Sequence, residues 1–138
     1  MNQRILNRVT EVAMAMRPTT INKDERFHLS FAVKKGRIIK IGKNDYTKSH
    51  NRNKFGKYEP FKKDTVNPYI PCLHSEVSIV IKLGLDSWDG IEIVNVRLNN
   101  MGQLRISKPC FNCQKHVIDY LQPKSLFYST DDGTFVQL

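Results

Sequence analysis

The feature that most constrains the fold is a pair of motifs that carry potential metal ligands, His74-Ser75-Glu76 and Pro109-Cys110-Phe111-Asn112-Cys113. Imidazole nitrogen and thiolate sulfur both suit zinc. If His74, Cys110 and Cys113 bind one ion, the fold has to bring two distant segments of the chain together. Three protein ligands leave a fourth position open for water, whereas structural zinc sites are usually closed by four. The sequence therefore predicts an open, reactive zinc site.

The remaining cysteine and histidines support this interpretation. The sequence has no second Cys-x-x-Cys pair and no His-x-x-x-His pattern, so a fourth protein ligand is not evident. The number of cysteines is odd, and two of them, Cys110 and Cys113, lie three positions apart after Pro109. This pattern favours a metal site in a reducing compartment over disulfides. We interpret Cys72 as a small buried residue. His28, His50 and His116 have no second ligand at a useful spacing, and we interpret them as ordinary residues.

Glu76 is the candidate acid and base. It follows His74 by two positions, which places it close to the metal without its being needed as a ligand. Zinc lowers the pKa of its bound water toward about 7, and one carboxylate could accept a proton from that water and deliver it to a substrate ring and its leaving group. His74 and Cys110 each stand at a predicted helix start, where the positive end of the helix dipole favours thiolate over thiol.

Hydrophobic periodicity divides the chain into alternating helices and strands. A predicted helix over residues 3–16 carries an apolar stripe and is followed by Pro18. Two β-prone runs around Lys35-Gly36 predict an antiparallel hairpin. The other elements are predicted helices over residues 74–83, ending at Gly84, and 110–121, and predicted strands over residues 27–34, 37–42, 91–98, 125–129 and 134–138.

This order predicts one domain over residues 1–138, with an α/β fold of three layers in which helices cover a mixed five-stranded sheet. The last two strands are joined by about four residues, too few for a parallel crossover, so we expect them to pair antiparallel with the last strand at an edge. Residues 43–71 lack periodicity and predict a long loop. A loop of that length in a compact domain is usually functional or mobile.

The chain is strongly basic, with a formal net charge of +9 and a pI near 9.6. Such an excess favours phosphates and other anionic partners. No apolar run approaches the roughly 20 residues of a membrane span, and charged residues interrupt the N-terminal helix, which argues against a secretory signal. We therefore expect a cytoplasmic protein with no membrane partner, located in the host cell if the chain is phage-encoded.

The two motifs resemble the His-x-Glu and Pro-Cys-x-x-Cys signature of zinc-dependent nucleobase deaminases. Over most of its length the sequence resembles the cytidine and deoxycytidylate deaminase superfamily. The resemblance implies a cytidine-deaminase-like three-layer α/β/α sandwich that binds Zn²⁺. It also implies that His74, Cys110 and Cys113 are the zinc ligands and that Glu76 is the proton shuttle.

The same resemblance implies a set of substrate contacts. Asn44 is similar to an asparagine that touches the sugar in relatives, with a turn-forming role as the alternative. The backbone of Ser75 and of Lys108 would line the base. Tyr128 is a candidate to pack on the target base, or else a core aromatic. Within the superfamily, the segment from Gly42 to the first motif resembles small phage and metagenomic deaminases.

The motifs leave the substrate open, because the same zinc and glutamate attack C4 of cytosine or C6 of adenine. The predicted loop interleaves cations with aromatic residues, a combination typical of single-strand binding grooves; a merely solvated face is the alternative. We predict nucleic-acid contacts at the loop cations Lys48, Arg52, Lys54, Lys57, Lys62 and Lys63.

These observations favour a zinc-dependent hydrolytic deaminase that converts cytosine to uracil in single-stranded nucleic acid, with DNA preferred to RNA as the partner. A deaminase of free cytidine, deoxycytidine or their monophosphates is the first alternative, since short antiparallel endings resemble free-nucleoside and bacterial-toxin deaminases. A non-catalytic nucleic-acid-binding module with a structural zinc is an alternative from another class.

Overall fold

The computed structural model of the protein describes residues 1–21, 26–44, 74–84, 89–110, 113–114 and 121–138. The predicted loop over residues 43–71, with its six cations, lies outside the described residues from position 45 onward, as does most of the helix predicted over residues 110–121. The described elements, in chain order, are α1 (Gln3–Met16), β1 (Phe27–Lys34), β2 (Arg37–Lys43), α2 (Ser75–Leu83), β3 (Glu92–Leu98), β4 (Leu104–Arg105), β5 (Ser125–Ser129) and β6 (Phe135–Gln137).

The first helix forms where its capping and periodicity predict it. The Asn2 side chain accepts a hydrogen bond from the Ile5 N–H at 3.0 Å, which satisfies a donor of the first turn. Arg17 leaves the helix with extended backbone just before Pro18. One stripe of α1 is buried, formed by Ile5, Leu6, Val9 and Ala13. No helix in the described ranges is long and apolar enough to cross a membrane.

The sheet is mixed, with the strand order β2-β1-β3-β5-β6. β3 and β5 are parallel, and the other neighbouring pairs are antiparallel. Lys35 and Gly36 both have positive φ, 51° and 74°, as the tight turn of the predicted hairpin requires. The antiparallel pairing of the last two strands is confirmed, and β6 ends the strand order.

The described sheet has six strands, one more than the five that the sequence predicts. The additional strand is β4, which pairs through Leu104 and Arg105 with the end of β3. Asn99 closes the intervening turn, because its side chain accepts hydrogen bonds from the N–H groups of Met101 and Gln103. A strand of two residues has no alternation that a periodicity argument can detect.

The two described helices pack on opposite faces of the sheet. α1 packs against Leu29 and Phe31 of β1 and against neighbouring apolar residues of β3. α2 packs against Ala32 of β1 and Ile93 of β3, which point to the other face because side chains alternate along a strand. The fold is therefore mixed α/β, with a helix on each side of a mixed sheet.

Candidate metal centre

The structure brings the two ligand motifs together. His74 Nδ1 lies 3.1 Å from Cys113 Sγ and 4.0 Å from Cys110 Sγ. One ligand atom from each of the three residues lies within 4.8 Å of the others, a grouping that could hold a metal ion. Cys113 is buried, and His74 and Cys110 are half-buried. The predicted ligands therefore form one compact group at the boundary between core and solvent.

Each ligand segment begins a helical turn, as the sequence predicts. His74 has extended backbone at the N-cap of α2, and its carbonyl accepts the N–H of Ser78 at 2.9 Å. The carbonyl of Cys110 accepts the N–H of Gln114 at the same distance. Backbone N–H groups at both starts raise the local positive potential, which stabilises negatively charged sulfur.

The donor set fits a tetrahedral metal ion. For metal–sulfur bonds of about 2.3 Å and a metal–nitrogen bond of about 2.1 Å, the nitrogen and sulfur of two ligands are roughly 3.6 Å apart. The two nitrogen–sulfur distances of 3.1 Å and 4.0 Å lie on either side of that value. Small side-chain rotations would equalise them, so the group is compatible with a bound metal.

The two thiols are electrostatically coupled. A hydrogen bond from Cys113 holds the pKa of Cys110 at about 4; burial opposes this shift, and His74 and the Cys113 N–H reinforce it. The pKa of Cys113 is raised well above its usual value, first by that shared hydrogen bond and then by burial. The pair therefore readily holds one negative charge, and metal binding would displace the second proton.

Glu76 lies beside this group and is only 4% exposed. Burial raises the pKa of its carboxyl group, and the nearby His74 partly offsets the effect. Glu76 also forms a hydrogen bond with Cys113, which links the carboxyl group to the ligand cluster. A carboxyl group that holds a proton more readily than usual, next to a metal-binding group, is suited to proton transfer.

A buried polar network holds Glu76 in place, and neither the motifs nor the periodicity of the sequence predicts it. Asn95 on β3 donates from Nδ2 to Glu76 Oε1 at 2.8 Å. The Asn95 Oδ1 accepts from Ser30 Oγ at 2.7 Å, and Ser30 Oγ lies 2.9 Å from Ser75 Oγ. The available signal was a polar residue within an apolar strand, Val94-Asn95-Val96, because polar side chains are buried only when they are satisfied.

A second set of hydrogen bonds anchors the segment that leads to Cys110. Ser107 and Ser129 are both buried and are joined by hydrogen bonds. The Ser129 N–H donates to Ser107 Oγ at 2.8 Å, and the Ser107 N–H donates to the carbonyl oxygen of Ser129 at 2.9 Å. The Ser107 hydroxyl also donates to the carbonyl of Asn95 at 2.9 Å. The Cys110 loop is therefore attached to β3 and β5.

Three of the predicted substrate contacts lie in the described part of the chain outside the ligand motifs. The side-chain amide of Asn44 forms two hydrogen bonds with the backbone at the start of β1. It accepts from the His28 N–H at 3.1 Å and donates to the carbonyl oxygen of Arg26 at 2.7 Å. Lys108 is exposed. Tyr128 is half-buried and pairs in register with Asn95, so both side chains point to the same face of the sheet. These roles remain predictions.

His28 lies closer to the site than its interpretation as an ordinary residue suggests. It pairs in register with Arg97, on the sheet face that carries Ser30 and Asn95. Burial lowers the pKa of His28 to about 4, and the charges of Arg97, His74 and Arg26 lower it further. The imidazole is therefore neutral near pH 7.

The assignment of a function rests on the geometry of the site, because comparisons with known protein families and curated proteins give no match. The fold and site define an α/β protein with a candidate His-Cys-Cys metal centre and an adjacent buried carboxyl group.

Proposed function

We propose that the protein is a zinc-dependent hydrolytic deaminase that converts cytosine to uracil. The observation that carries this proposal is the position of the buried Glu76 carboxyl group beside the three ligand atoms of His74, Cys110 and Cys113. A structural zinc site needs four protein ligands and no neighbouring acid, whereas a hydrolytic site needs an open position and a group that moves protons.

His74, Cys110 and Cys113 would hold the zinc ion. This donor set suits zinc, because zinc accepts mixed nitrogen and sulfur ligands in tetrahedral geometry. When bound, zinc supplies a Lewis acid that activates water at neutral pH.

Glu76 would carry the proton between water and substrate. Its carboxylate would take one proton from the attacking water and give it to the ring nitrogen. It would then take the proton of the new C4 hydroxyl group and give it to the leaving amine as the C–N bond breaks, so that both protons of water are accounted for. Burial raises the pKa of this carboxyl group, which favours the form that carries the proton. A carboxylate exposed to water would hold the proton too weakly for that role.

The layered fold supports a place in the cytidine and deoxycytidylate deaminase superfamily. Helices lie on both faces of a mixed sheet, and the ligands stand at the starts of helical turns. Together with the two motifs, this arrangement favours the superfamily's three-layer α/β/α sandwich. The short antiparallel ending formed by β5 and β6 resembles that of free-nucleoside and bacterial-toxin deaminases, which keeps deamination of free cytosine nucleosides and nucleotides as a second candidate function.

Charge favours single-stranded nucleic acid as the substrate. The net charge of +9 exceeds what one nucleotide needs. In the described part of the chain, Arg97 and its register partner Arg105 lie on the sheet face that carries Asn95, and the exposed Lys108 lies two residues before Cys110. Phosphates along a strand would contact such cations, while exposed bases stack on aromatic residues.

A substrate panel tests the proposal. Zinc-loaded protein is incubated separately with cytidine, dCMP and cytosine-containing DNA and RNA oligonucleotides, and uracil is quantified by sequencing or chromatography. We expect conversion in the oligonucleotides, weakened by added salt because phosphate contacts are screened. Rapid turnover of cytidine or dCMP with no conversion in oligonucleotides would move the assignment to the second candidate. No conversion of any substrate would contradict deamination of cytosine.

A further inference from the structure

Asn95 links four segments of the chain at the candidate site. It lies on β3, is 1% exposed, and donates to Glu76 Oε1 on α2 at 2.8 Å. Its Nδ2 also lies 3.4 Å from the carbonyl oxygen of Ser107, and its Oδ1 accepts from Ser30 on β1. A single amide therefore connects the Glu76 carboxyl group to two strands and to the segment that leads to the cysteines.

The network fixes which way the amide faces. Ser30 has one hydroxyl proton, which it donates to Asn95 Oδ1, an atom that can only accept. The carbonyl oxygen of Ser107, which can likewise only accept, lies 3.4 Å from Nδ2, so the amide nitrogen faces that side of the network. With Oδ1 held by Ser30, the N–H donors of Asn95 are directed at Glu76. Hydrogen bonds that run in one direction polarise one another, which stiffens this arrangement.

We propose that Asn95 is a positioning residue that anchors Glu76 Oε1 and leaves Oε2 as the oxygen that transfers the proton. The inference rests on the proposed function. Glutamate has three side-chain torsions, so an unanchored carboxyl group at the start of a helix would sample several positions. A misplacement of about 1 Å can cost roughly 100-fold in rate. The amide bond to Oε1 removes that freedom.

The composition of the network favours a role in positioning over one in stability. Replacing both partners of a buried hydrogen bond by apolar groups of the same shape can be nearly neutral for stability. Here, Ser30, Ser75, Asn95 and Glu76 are all buried against a sheet whose adjacent residues are apolar. Apolar side chains would serve packing equally well, whereas only a directed donor can hold a carboxylate oxygen.

Three variants separate positioning from packing. Asn95→Leu keeps the branched shape of the side chain but removes both the donor to Glu76 and the acceptor for Ser30. Ser30→Ala releases the amide while leaving Asn95 in place. Val94→Ala is the matched control, since this buried neighbour on β3 packs against α1 on the opposite face. Each variant is loaded with zinc and assayed for kcat, KM, zinc content and thermal midpoint.

We expect Asn95→Leu to lower kcat by about 100-fold with little change in KM and with one zinc retained. Ser30→Ala should lower kcat by a smaller factor in the same pattern. Val94→Ala should lower the thermal midpoint and leave kcat close to that of the wild type. The inference is overturned if kcat of Asn95→Leu is unchanged, or if Val94→Ala lowers kcat as much as Asn95→Leu does. If Asn95→Leu does not fold, the kcat of Ser30→Ala decides.

A crystallographic readout keeps this test independent of the proposed function. In zinc-loaded Ser30→Ala and Asn95→Leu crystals, we expect the Glu76 carboxyl group to be displaced or to occupy several positions. If the wild-type protein shows no deaminase activity but the carboxyl group is displaced in the variants, the positioning role stands and the proposed function falls. A Glu76 carboxyl group that stays in its wild-type position in both variants overturns the positioning role.

Discussion

A Cβ atom placed on Gly42 would lie 2.5 Å from the carbonyl oxygen of Ser75. It would also lie 2.6 Å from the backbone nitrogen of Ile79, so the backbones of β2 and α2 are in direct contact. This close approach sets the position of the first turn of α2, which carries Glu76 and begins at His74. A glycine next to the predicted loop thereby determines how the first ligand motif meets the sheet.

Gly42→Ala should therefore damage the site as well as the fold. The added methyl group forces α2 away from β2, because both close contacts are with backbone atoms that cannot rotate aside. Overpacking of this kind costs about 1–3 kcal/mol of unfolding free energy. We expect weaker zinc binding together with that loss, measured by urea unfolding and by competition with a zinc-binding dye.

Gly36→Ala is the control for that experiment. Gly36 has a φ of 74°, and a Cβ atom placed on it would have no atom within 4 Å, so its replacement strains the hairpin turn without touching α2. The expected cost is about 1–2 kcal/mol of stability with zinc affinity unchanged. Equal losses of zinc affinity in the two variants would contradict the role of the Gly42 contact.

Cys110→Ser should abolish stoichiometric zinc binding. The hydroxyl group of serine stays protonated at neutral pH, whereas the pKa of Cys110 is held at about 4 by its hydrogen bond from Cys113. Zinc bound per chain is measured after dialysis by elemental analysis. The matched control is Cys72→Ser, which replaces the cysteine that the sequence does not place in the ligand set and should retain one zinc. Loss of zinc in the Cys72 variant alone would contradict the assigned ligands.

His28 should make the protein less stable in acid. Its pKa is about 4 in the folded protein, chiefly because of burial, against 6.5 as the ordinary value. Between these values the unfolded chain binds the proton and the folded protein does not, so stability falls as the pH drops below about 6.5. The loss reaches at most about 3 kcal/mol near pH 4.

Urea unfolding of the wild type and of His28→Asn at pH 7.5 and pH 5 measures this effect. The difference between the two proteins isolates His28, because Glu76 and the cysteines titrate in both. We expect the wild type to lose more stability than the variant between the two pH values. Equal losses would show that His28 is not a source of acid sensitivity.

The elements that the sequence predicts correctly are those specified by local signals. α1 has a capping Asn2 and a following Pro18, and the β1–β2 hairpin has the Lys35-Gly36 turn. The candidate metal ligands His74, Cys110 and Cys113 were also predictable, because their chemical types are rare and their spacing places them at helix starts. In each case the information lies within a few residues of the feature.

The features that could not be predicted depend on contacts between distant segments. Asn95 and Glu76 meet only because β3 lies beside β1 beneath the start of α2. Likewise, β4 exists only as a partner for the end of β3, and the need for glycine at position 42 arises only because α2 packs on β2. Periodicity identifies which residues are buried but not which polar groups pair with one another.

The central claim is that Glu76 beside a zinc ion performs hydrolytic deamination, and Glu76→Gln tests it most directly. Glutamine keeps the size of the side chain but cannot accept and return a proton. Both proteins are loaded with zinc, checked for one zinc per chain, and assayed for uracil formation in a cytosine-containing single-stranded DNA oligonucleotide. We predict that the variant keeps its zinc and loses about 10²- to 10⁴-fold of the activity. Equal activity in the two proteins, or a wild type that binds the oligonucleotide without forming uracil, would contradict the claim.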